Sequence, residues 1–250
     1  MRGSSLIMKI GILKRIGARS SSHNPSGGAQ VRLPAWFVYP EREQSRGEEI
    51  ANSISHGTAL IAAVAGTPFL ITHAAGRGGS GFVAGIWVFS ATMIALYLSS
   101  TLYHALSIGK AKQFFKVVEH SAIFLLIAGT YTPFTLGVLN GVLGWTLFGV
   151  VWCLAVAGIA LKVFVKASHP AFSTLLYLLM GWLALIAIEP LFNRVPAPGL
   201  LWLFAGGLSY TAGTAFFVTD SRLRYGHLVW HLFVIAGTIC HYFAVLWYAA

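Results

Sequence analysis

The chain has 250 residues, of which 56% are hydrophobic and only 10% charged, and it carries a net charge of +10. A soluble domain carries about 25% charged residues, so a soluble globular fold is excluded. The positive charge comes with no nucleic-acid motif, which argues against a nucleic-acid partner. The two cysteines, Cys153 and Cys240, form no CxxC pair and fall inside apolar stretches, where they read as small core residues.

Met1 to Pro40 holds six Lys or Arg and no acid, with Ser and Gly in quantity. Residues 1–47 therefore read as a basic, disordered, cytoplasm-facing tail that touches anionic lipid. "EREQSRGEEI" (41–50) reads as a short polar helix leading into the first apolar stretch. Seven such stretches follow, at 54–73, 82–106, 117–138, 142–161, 171–189, 199–218 and 227–248. Each is close to the roughly 20 residues that cross a hydrocarbon core. The alternation that a β-barrel needs is absent. The fold class is an all-α membrane protein, a seven-helix bundle.

Loop charge orients the bundle. Fifteen Lys or Arg fall on the side of the N-terminal tail, the 107–116 loop, the end of span four and the 219–226 loop. Only Arg77 and Arg194 fall on the other side. The positive-inside rule then places the N-terminus in the cytoplasm and the C-terminus outside, with Trp247 and Tyr248 at the outer interface of an inner (plasma) membrane. "GRGGSG" (76–81) reads as a loop, and "AGGL" (205–208) as a close-packing face. Pro133 in "GTYTP" predicts a kink in span three. Glu189 before Pro190 reads as a snorkelling charge that ends span five.

"HLVWH" sets His227 and His231 one turn apart on one helix face, about 6 Å along the axis. That spacing offers two nitrogens to one metal ion. Span two ends in "SSTLYHAL", with Ser100 one turn before His104, and span three begins with "EHSAIF", at Glu119. Seven spans bring His104, Glu119, His227 and His231 to one level, near the cytoplasmic ends of three helices. A carboxylate at helix centre costs about 2.5–3.5 kcal/mol on insertion scales, so such groups pair. Three imidazoles and a carboxylate suit zinc; a proton-relay or hydrogen-bond cluster needs the same residues without a metal. Of the remaining histidines, His56 reads as interfacial, with a supporting contact to a carboxylate as the alternative. His120 reads as supporting or interfacial. His241, about 15 Å deeper than His231, reads as an interhelical hydrogen bond.

At these residues the sequence resembles the hemolysin III family, the bacterial branch of the progestin and adipoQ receptor family. The resemblance is carried by "EEIANSISHG" (48–57), "SSTLYHAL" (99–106), "EHSAIFLLIAGTYTPF" (119–134) and "HLVWHLFVIAGTICHYFAV" (227–245). It covers nearly all of residues 48–250. It implies seven transmembrane helices and a Zn2+ site held by His104, His227 and His231. It also implies a carboxylate beside the zinc, at Glu119 where the family usually has Asp, and a serine at Ser100. Glu119 either ligates the metal or holds its water. Zinc lowers the pKa of bound water to about 7, and a neighbouring carboxylate can shuttle the proton. The resemblance extends to the alkaline ceramidases, which implies a hydrolase of a lipid amide or ester, with Glu119 and Ser100 in catalytic roles. Two rivals are a pore-forming cytolysin, which the family name suggests, and a membrane-homeostasis receptor or sensor with structural zinc. Against the pore, the sequence offers no polar amphipathic helix to line one.

Overall fold

A computed structural model describes residues 42–164 and 170–250, and no strand occurs among the described residues. The basic tail lies outside them as far as residue 41, as does Lys166. Among the described residues eight α-helices follow in order: α1 Arg46–Ala75, α2 Ser80–Ala105, α3 Lys110–Leu136, α4 Val142–Phe164, α5 Pro170–Trp182, α6 Ile188–Arg194, α7 Ala197–Thr219 and α8 Gly226–Tyr248. A 3₁₀ turn, Leu183–Ala187, joins α5 to α6. These two helices make one span, Phe172–Arg194, so seven helical runs are long and apolar enough to cross a membrane.

The helix ends follow local chemistry. Ser45 caps α1 in a capping box: its Oγ accepts from the Glu48 N–H at 3.4 Å, and Glu48 Oε2 accepts from the Ser45 N–H at 2.9 Å. The described part of the polar segment, residues 42–50, is therefore no separate helix. From Arg46 it is the first turn of span one. Helix α3 likewise begins seven residues before the apolar stretch, so Lys110, Lys112 and Lys116 are helical and not in a loop. Lysine stems can lie along an apolar helix while the ammonium reaches polar partners. Pro190 does not end span five. It sits in the first turn of α6, where its missing N–H has no helical partner to lose, and Glu189 beside it is exposed.

The packing is uneven. Helix α2 lies most extensively against α3 and α1, α8 against α7 and α1, and α5 reaches both α3 and α7. Small residues permit the closest approaches. A Cβ on Gly85 of α2 would stand 2.7 Å from the Pro133 Cα of α3, and one on Gly206 of α7 would stand 2.5 Å from the His241 Nε2 of α8. Half of the apolar window of α2 is buried, and 44% of those of α3 and α8, against 22% or less for the other spans. The innermost helices are thus the three that carry the histidine–glutamate set. The outer faces present large apolar side chains such as Ile61, Phe69, Trp145 and Leu201, as lipid contact requires. Cys153 is on such a face, exposed and not in the core as its apolar context suggested, and both cysteines are free.

Candidate metal centre

Helices α1, α3 and α8 begin, and α2 ends, at one end of the bundle. There His104, Glu119, His227 and His231 come together, all buried, with one potential ligand atom from each lying within 4.8 Å of all the others. The His227 and His231 rings are 4.8 Å apart, and each lies 5.1 Å from the His104 ring. His104 Nε2 is 3.7 Å from Glu119 Oε1.

Each imidazole is held by its other nitrogen. His104 Nδ1 bonds Glu49 Oε2 at 2.7 Å, His227 Nδ1 bonds Asp220 Oδ2 at 3.0 Å, and His231 Nδ1 lies 3.2 Å from Ser55 Oγ. A carboxylate accepts only, so His104 and His227 donate through Nδ1–H and present bare Nε2 lone pairs. Those two atoms, His231 Nε2 and Glu119 Oε1 are all fully buried and without a hydrogen-bond partner. Buried polar atoms are almost always paired. Four such atoms facing one another at this spacing fit a divalent cation such as zinc, which accepts imidazole and carboxylate ligands.

The outer supports come from elements the sequence reading left out. Glu49 also binds Lys112 Nζ at 3.0 Å, and Lys112 donates to the carbonyl oxygens of Tyr103 at 2.8 Å and Leu106 at 3.3 Å. One lysine of α3 thereby caps the end of α2 and steadies the carboxylate that orients His104. Glu48 does the same for α8. It is paired with Arg42 and accepts from the N–H of Tyr225 at 2.8 Å. Tyr225 is left-handed, with φ 59°, immediately before α8. This clamp fixes the Asp220–Tyr225 turn, and with it the partner of His227.

His56 is not interfacial. It is 1% exposed, stacks on the His231 ring at 3.6 Å and 5°, and bonds Ser100 Oγ through Nδ1 at 2.7 Å. Ser100, itself fully buried, meets His56 through this bond. His120 is turned away from the cluster and bonds the Lys116 carbonyl of its own helix at 2.6 Å. His241 makes the expected interhelical bond, from Nε2 to the Leu203 carbonyl at 3.3 Å. Glu49, Asp220 and Ser55 carried one faint signal, an acid or hydroxyl beside a helix start. Only the fold shows that they reach back to the histidines.

From Glu119 and His56 a cavity of about 190 Å³ runs between α3, α5, α7 and α8 as far as Leu139, Leu191 and Leu200. Its lining is almost wholly apolar. Along α3 it extends from Glu119 to Thr135, about 24 Å at helical rise.

Comparison with known proteins agrees with these stretches. Residues 44–242 match the family described as Haemolysin-III related. The chain belongs to the hemolysin III family. It is 44% identical over 201 residues to Hemolysin-3 of Bacillus cereus, covering 80% of this chain and 91% of that protein. It is 43% identical over 201 residues to a Hemolysin-3 homolog of Bacillus subtilis (strain 168), covering 80% and 94%. The human monocyte to macrophage differentiation factor is 26% identical over 207 residues, 79% of this chain and 83% of that protein. That more distant match is the link to the adipoQ-receptor-like proteins. No solved structure gives a significant match.

Proposed function

We propose that this membrane protein is a zinc-dependent hydrolase of a lipid amide or ester. One observation carries the reading: four orphaned donor atoms, three imidazole nitrogens and a carboxylate oxygen, stand at the head of a long apolar cavity. His104, His227 and His231 would hold the ion through Nε2, with Glu119 Oε1 beside them. The bound metal would supply Lewis acidity to a carbonyl and acidify water. Glu49 and Asp220 keep two of the imidazoles in the ligating tautomer. Glu119 takes the proton of the attacking water and returns it to the leaving amine or alcohol. Ser100 orients the Glu119 carboxylate. The cavity takes the acyl chain and keeps bulk water from it.

The charge distribution supports a cytoplasmic N-terminus, which puts this chemistry at the inner face of a bacterial plasma membrane. The name of the Bacillus cereus relative favours a second reading, lysis by a pore. The apolar cavity lining favours an acyl chain over water and ions, so the hydrolase is preferred.

The test is fatty-acid release from N-acyl and O-acyl lipids by detergent-purified protein, with Glu119→Ala as control. The reading expects release that needs zinc and is lost in the variant. Metal-independent leakage of dye from liposomes, with no release, would replace it with the pore.

A further inference from the structure

We infer that His56 is a positioning residue of the metal centre. It ties the α1 helix to the plane of His231 and to the direction of the Ser100 hydroxyl. The inference rests on the metal-centre reading above.

His56 lies one α-helical turn beyond Asn52 and two beyond Glu48, so the three share the buried face of α1. Two contacts make it more than core packing. Its ring lies 3.6 Å from the His231 ring and within 5° of parallel. The edge of Tyr97, 5.1 Å away at 71°, packs against the same imidazole. His231 Nδ1 meets a hydroxyl, at 3.2 Å, where His104 and His227 have carboxylates. The stacked ring supplies the orientation that a single hydroxyl leaves loose.

The second contact is the 2.7 Å hydrogen bond between His56 Nδ1 and Ser100 Oγ, which fixes that hydroxyl one helical turn before the ligand His104. Removing His56 frees the hydroxyl to rotate away, back to a carbonyl of its own helix as Ser99 does to Leu96 at 3.0 Å. His56 thus bears on His231 and on Ser100, from a helix that supplies no ligand to the cluster.

Cobalt(II)-loaded protein tests this. The d–d absorption spectrum reports ligand geometry, and the half-time of cobalt loss to a chelator reports retention. His56→Phe keeps a ring against His231 but removes the hydrogen-bond partner of Ser100. His56→Asn keeps a short polar group but removes the ring. Both are expected to load one cobalt per chain with an altered spectrum and to release it roughly 10–100-fold faster than the parent, as loss of outer partners does at other sites. Ser100→Ala combined with His56→Phe is expected to add little to His56→Phe alone, because the two share one hydrogen bond. Parent-like spectra and release rates in both single variants would overturn the inference while leaving the metal centre standing. A folded parent that takes up no cobalt would overturn the metal centre and the inference together.

Discussion

Helix α8 carries buried histidine at its head and again deeper along it, and uses the two in opposite ways. His227 and His231, in the first two turns, are held at Nδ1 and leave Nε2 bare among other bare atoms. His241, ten residues on, spends Nε2 on the Leu203 carbonyl of α7 and sits where a Gly206 Cβ would be. All three are buried, so burial does not mark a metal ligand. What differs is which nitrogen is anchored and whether the free one faces other donors. At the head of the helix, carboxylates and a hydroxyl from other elements turn the imidazoles inward. At mid-depth a histidine instead bridges two helices.

The sharpest way to break this comparison is to remove each kind of histidine. His227→Ala with His231→Ala is expected to abolish metal binding, from about one ion per chain to none by elemental analysis. His241→Leu should leave metal content unchanged. Equal metal loss from both would show that the two positions are not distinct.

Glu119 gives the next largest effect. Glu119→Gln keeps the size of the side chain and removes its basicity. Turnover of a lipid amide is expected to fall about 10²–10⁴-fold while the protein still binds metal through the three histidines. Parent-like turnover would remove the carboxylate from the chemistry.

The four central residues were legible in sequence because topology alone sets their level. Odd and even spans run in opposite directions, so the end of α2 and the starts of α3 and α8 must meet. The resemblance to the hemolysin III family pointed to the same residues. Their supports were not legible. Asp220 lies in a short polar turn between two spans, and Glu49 in a stretch that reads as a solvated lead-in. Nothing in their spacing says that Lys112 and the left-handed Tyr225 fold them onto the histidines. His56 was misread for the same reason. A histidine at the third residue of a predicted span looks interfacial, but the capping box at Ser45 starts the helix two turns earlier and draws His56 inside. The start of α3 was misplaced because three lysines look like a loop, while their stems allow a helix.

Those supports provide intermediate and small effects. Asp220→Ala leaves His227 free to turn, and metal affinity is expected to drop about 10–100-fold in a chelator competition. Glu49→Ala should match it, since the two carboxylates hold equivalent ligands. An unchanged affinity in both would mean that the imidazoles are oriented by packing alone. Deeper along α8, His241→Leu is expected to cost roughly 0.6 kcal/mol in unfolding from detergent, the typical size of an interhelical hydrogen bond in a membrane protein. A loss several times larger would make His241 more than a bridge.

The central claim is that the bare nitrogens at the head of α8 are halves of a metal shell. X-ray absorption at the zinc edge, on protein purified in detergent without added metal, tests it most directly. The account predicts about one zinc per chain, with imidazole nitrogens at about 2.0–2.1 Å and an oxygen ligand beside them. A folded, metal-free protein that does not respond to added zinc would contradict it and leave His104, Glu119, His227 and His231 as a hydrogen-bonded or proton-carrying cluster.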